Sequence, residues 1–67
     1  MNKFKEREDA ANAMQAAGYQ VDKYRIYPVY NNWGKIVYCT VVKYNGILGM
    51  LIYTPEWDDK PVKFKAF

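Results

Sequence analysis

The sequence predicts a small α+β fold: one N-terminal helix packed on one face of an antiparallel β-meander of three to five strands. Three observations carry this expectation. An alanine-rich segment with helical spacing runs from about residue 3 to 17 and stops at Gly18. The pattern then changes to alternation in segments rich in Tyr, Val and Ile, the strand formers. Finally, Asn45-Gly46 sits between two such segments, and Asn-Gly is the type I′ hairpin turn because both residues accept positive φ.

The helix is justified residue by residue. Phe4, Ala10, Ala11, Met14 and Ala17 fall on one flank at 100° per residue, while Lys5, Glu8, Asn12 and Gln15 fall on the other. Five alanines stand between positions 10 and 17, and alanine is the best helix former. Asn2 is the candidate N-cap. Gly18 supplies the left-handed residue that ends many helices, and Tyr19 follows where an apolar contact back to the last turn is common.

The strands are expected at about 21–30, 35–44 and 47–54, and the alternation of 62–66 allows a fourth. Pro28 inside the first makes it an edge or a bulged strand. Asn31-Asn32-Trp33-Gly34 reads as the turn between the first two strands. Residues 54–61, between Thr54 and Pro61, read as a loop. Residues 1–67 are read as a single domain.

Turn lengths convert these strands into faces. A two-residue turn at 45 and 46 sets Tyr38 opposite Tyr53 and Cys39 opposite Ile52. A four-residue turn at 31–34 sets Tyr27 opposite Tyr38, Arg25 opposite Thr40 and Asp22 opposite Lys43. One face then carries Tyr24, Ile26, Val37, Cys39, Val41, Leu48, Met50 and Ile52, and is expected to be the core beneath the helix. The other carries a row, Tyr27–Tyr38–Tyr53, with Lys23, Arg25, Val29, Ile36, Val42, Tyr44 and Leu51. One helix cannot cover both faces, and an antiparallel sheet normally solvates its second face with polar residues.

Composition narrows the chemistry. The chain has 67 residues, no histidine, no serine and one cysteine. A Ser or Cys nucleophile normally needs a His or an N-terminal amine beside it, so an enzyme is not expected. A lone thiolate cannot assemble tetrahedral zinc coordination, so neither metal nor cofactor is expected. A chain this short hides only about 60% of the surface its unfolded form exposes. A single cysteine offers no intrachain disulfide. Support must come from large core side chains or from a partner, and 18% aromatic content fits both.

The net charge is +3, with Lys60, Lys63 and Lys65 the one unmixed basic stretch. The N-terminal MNKFKERED lacks the apolar region of a secretory signal, and no run approaches the ~18 apolar residues of a membrane span. A single unpaired cysteine fits a reducing compartment. The expectation is a soluble, cytoplasmic protein with no membrane partner.

Three readings of the tyrosine face stay open. The sheet can curl so that the C-terminal segment, with Trp57, Phe64 and Phe67, lids it, which makes it core. It can bind a second copy or another protein, with Tyr27, Tyr38, Tyr53 and Tyr44 beside Arg25 and Lys23 as anchors. Or it can stack unpaired bases of RNA or DNA on the same tyrosines, with Lys23, Arg25, Lys63 and Lys65 on phosphates.

The Glu56-Trp57-Asp58-Asp59 loop is a solvated turn or a recognition loop presenting Trp57 between Pro55 and Pro61. Cys39 reads as a small core hydrophobe, and Gly49 as a bulge or a site of close approach. The function expected is a non-catalytic binding module acting on a protein partner through the tyrosine face or the Trp57 loop. The alternative is a single-stranded nucleic-acid binder. A chain of this size without catalytic residues also suits an occluding inhibitor encoded by a phage or other mobile element.

Overall fold

The computed structural model describes residues 3–57 and 59–67, with side chains from Glu6 onward and Asp58 excepted. The expectations for Asn2, the Phe4 side chain and Asp58 lie outside the described residues. Helix α1 spans Lys3–Ala16. Strands β1 (Tyr27–Tyr30), β2 (Ile36–Tyr44), β3 (Ile47–Tyr53) and β4 (Val62–Ala66) form one antiparallel sheet in the order β1-β2-β3-β4. The protein is therefore a small α+β fold, one N-terminal helix packed against a four-stranded open meander.

Helix α1 ends as its sequence requires. Gly18 takes φ +99, the Gly18 amide donates to the Gln15 carbonyl at 3.0 Å, and the Tyr19 amide donates to the Met14 carbonyl at 3.1 Å. This double closure satisfies two carbonyls the helix would otherwise leave bare. It also turns Tyr19 back against the core.

The β2–β3 hairpin has the expected register. Tyr38 pairs with Tyr53, Cys39 with Ile52 and Tyr44 with Ile47, about a turn in which Asn45 (φ 51) and Gly46 (φ 79) are both left-handed.

Two expectations are corrected ahead of β2. The strand expected over 21–30 shrinks to Tyr27–Tyr30, because Lys23–Arg25 form a 3₁₀ turn. Asp22 caps that turn, its side chain accepting from the Tyr24 amide at 2.9 Å. The expected Asp22–Lys43 pair therefore does not form part of the ladder.

The second correction is register. Tyr27 lies opposite Cys39, not Tyr38. The turn is one residue shorter than expected: the Asn31 amide donates to the Lys35 carbonyl at 2.8 Å, and Gly34 adopts φ +75. The Asn31 side-chain oxygen accepts from the amides of Trp33 and Lys35. This is a three-residue turn with a left-handed glycine, which sets Lys35 opposite Asn31 in place of Tyr30. A one-residue slip moves every side chain of a strand to the other face, so Tyr27 leaves the tyrosine row.

The helix also covers the face opposite to the one expected. Ala10, Ala11, Met14, Ile26, Tyr38, Val42 and Leu51 form the buried cluster, with Tyr19, Val21, Tyr53, Val62 and Phe64 packed against it. Met14, Ile26 and Leu51 are fully buried. The physical reason lies in β4. Phe64 sits opposite Leu51 and so faces the helix, whereas Lys63 and Lys65 sit opposite Ile52 and Met50 and face away. Packing the helix on the other side would bury two ammonium groups and leave the bulky aromatics in water. Tyr38 and Tyr53 are thus core, but the expected lid is corrected: the helix with Phe64 covers them, while Trp57 and Phe67 stand away from that cluster.

Candidate functional site

With α1 on the tyrosine side, the aliphatic side of the sheet is open apart from Val37, which is buried. Val41, Leu48 and Val29 are 56%, 54% and 46% exposed, and Tyr27 and Phe67 are more exposed still. Cys39, Met50 and Ile52 are half-buried between them. A shallow hollow of about 580 Å³ on this face is bounded by Arg25, Tyr27, Val29, Cys39, Val41 and Met50. Apolar side chains fill most of this face, where an antiparallel sheet usually carries polar ones, and Val37 at its end is buried.

Charge is arranged around it. The strands hold three charged residues, Lys43, Lys63 and Lys65. Cross-strand partners share a face, and these lysines oppose Leu48, Ile52 and Met50. All three therefore stand on the open side. Arg25 closes the β1 margin, its guanidinium 3.8 Å from exposed Asp22. The Lys63 ammonium lies 4.5 Å from the centre of the Trp57 ring, a cation–π contact that ties the 54–61 loop to the β4 margin. Asp59 lies beside Lys60 and Lys63 there.

The residues singled out from the sequence are divided by this geometry. Tyr38 is 6% exposed beneath the helix, and Tyr53 is half-buried beside it, with ring centroids 6.4 Å apart. Tyr44 lies at the margin of the covered side, packed with Tyr19 and Phe64. Tyr27, Arg25 and Trp57 border the open face. Lys23 stands in the 3₁₀ turn with its ammonium 5.5 Å from the Tyr24 ring centre. The tyrosine row is therefore not one surface. Val41, Leu48, Met50 and Ile52, expected as core beneath the helix, lie on the side away from it. The signal that places them outside is the alternation of Lys63 and Lys65 once β4 joins the sheet.

Tyr38 has a defined partner: its hydroxyl donates to Glu6 Oε2 at 2.6 Å, bridging sheet and helix. Burial above all, then this hydrogen bond and the negative charge of Glu6, push its phenol from the usual 10 up to about 12. The fold favours the neutral phenol. Its stabilising effect is fully present below pH 10 and is lost as pH rises through about 12. Tyr38→Phe is expected to cost about 1 kcal/mol at neutral pH. It should also flatten the alkaline loss, read as urea midpoints at about pH 9 and about pH 11.5. An equal alkaline loss in both proteins would assign that loss to other groups.

Cys39 offers no activated thiol, since burial pushes it up. Glu56 pairs with Lys35 at 3.3 Å, joining the acidic loop to the β1–β2 turn. Among the described residues, no group of three or more His, Cys, Asp or Glu side chains is placed to hold a metal ion, and no helix is long and apolar enough to cross a membrane.

Fold and surface together define a class: a single-helix α+β meander with one covered and one bare sheet face. No protein-family model matches the chain, and no curated protein or solved structure matches it at a significant level.

Proposed function

We propose that this chain is a non-catalytic binding protein that engages another protein through the open face of its sheet. The observation that carries the reading is the uncovered strip of Val29, Val41 and Leu48, continuous with half-buried Met50 and Ile52. Leaving such a strip in water forgoes roughly 25 cal/mol for each Å² that a partner would cover. The small core of so short a chain makes that omission costly. A binding role explains why the strip persists. The absence of a histidine and the raised Cys39 thiol support a role without catalysis. An occluding inhibitor of a larger protein is one form of this role.

The test uses the intact chain as bait in a nuclease-treated lysate of its native cell. The triple variant Val29→Thr, Val41→Thr and Leu48→Thr keeps strand-forming residues while removing apolar surface. The expected result is a specific protein held by the wild type and retained at least about tenfold less by the variant, a difference of about 1.4 kcal/mol. Equal retention by both would overturn the reading.

A further inference from the structure

We infer that the partner of the open face is an acidic protein surface, an apolar patch bordered by Asp and Glu, and not a second copy of this chain or a nucleic acid. The inference rests on the binding role proposed above. Every charged residue of the strands is a lysine, and all of them, Lys43, Lys63 and Lys65, project on the open side. They border the apolar strip at the β2–β3 turn and along β4, while Arg25 borders it on the β1 side, its side chain 80% exposed. Among the described residues, the nearby carboxylates Asp22 and Asp59 stand outside the strands, in the segments before β1 and before β4.

This arrangement argues against self-association by symmetry. A two-fold interface brings the same patch against itself. Cations stand on both lateral margins, so turning one copy end for end still sets Arg25 near Lys63 and Lys65 or near its own equivalent. Like charges facing each other across an apolar contact are costly. It also argues against nucleic acid. Sequence-tolerant single-strand binding needs aromatic platforms in the path of the bases. The middle of this face is Val41, Met50 and Ile52, and its aromatics, Tyr27, Trp57 and Phe67, lie at its margins, away from that middle. A partner with carboxylates around an aliphatic centre meets both features at once: the centre supplies affinity, the rim orientation and encounter rate.

The experiment is zero-length carbodiimide coupling in the nuclease-treated lysate. It joins a lysine amine directly to a carboxylate only where the two already touch, and linked peptides are then mapped by mass spectrometry. The expected result is links from Lys43, Lys63 or Lys65 to Asp or Glu of another protein. Reversal of the rim, K43E with K63E and K65E, should remove those links and weaken retention at least about tenfold, with salt weakening the wild type in the same direction. Circular dichroism shows whether the reversed chain is folded; should it not be, the single reversal K65E, at an exposed edge position, is read instead. Retention that is lost in the threonine variant but unaffected by the rim reversal overturns this inference and leaves the binding role standing. Links to carboxylates of this chain's own copies, or retention seen only in a parallel lysate without nuclease, overturn it in favour of a dimer or a nucleic acid. Retention indifferent to both variants, or no retained protein at all, overturns both readings.

Discussion

Tyr38→Ala is expected to leave the chain largely unfolded. Removing a buried aromatic side chain costs about 3–5 kcal/mol. A domain of this length has a total stability of roughly 3–10 kcal/mol. Tyr38 is 6% exposed, packs beside Tyr53 and holds Glu6 across the helix–sheet junction. Truncation empties the space beneath α1 and strips the Glu6 carboxylate of its donor. The control is Val41→Thr, three residues along the same strand but on the open side and 56% exposed. It should cost within about 1 kcal/mol. Circular dichroism with urea titration of both variants reads the difference. Comparable stability of the two would mean that the helix does not cover the tyrosine side, and the assignment of faces would fall.

Gly49→Ala is expected to weaken the attachment of β4 and to cost about 2–3 kcal/mol. A Cβ at this position would lie 2.6 Å from the Lys65 carbonyl oxygen and 2.6 Å from Cζ of Phe64. The ring could rotate away, but the carbonyl belongs to the backbone of β4, which pairs with β3 at Gly49–Ala66 and Met50–Lys65. Either the ladder opens or the ring leaves its place between Tyr19 and Tyr44. The sequence left Gly49 between a bulge and a site of close approach. The approach comes from the chain's own Phe64. Hydrogen exchange should report faster exchange of β4 amides in the variant, with α1 less affected. Wild-type protection throughout β4 would show that the strand has room the geometry denies.

Both results bear on function, because both concern which side of the sheet is spent on folding. The tyrosines expected as anchors hold the helix, and most of the aliphatic residues expected as core stay exposed or half-buried. Had Tyr38 and Tyr53 been truncated as a test of binding, lost binding would have reported lost fold.

Sequence by itself determined the elements whose signals are local. Gly18 and the alanines before it set the end of α1, and Asn45-Gly46 set the β2–β3 register, because backbone conformation at a left-handed residue is decided within a few bonds. Tertiary structure decided the rest. The register of β1 hinged on one residue in the Asn31–Lys35 connection, and hydrogen bonding by the Asn31 side chain settled it. The choice of buried face depended on β4, whose Phe64 and Lys63 add opposite characters to the two sides of a sheet that, strand by strand, could have turned either way. Both faces were apolar enough to be core. Only pairing among distant segments placed the ammonium groups, and the cost of burying them sent the helix to the other side.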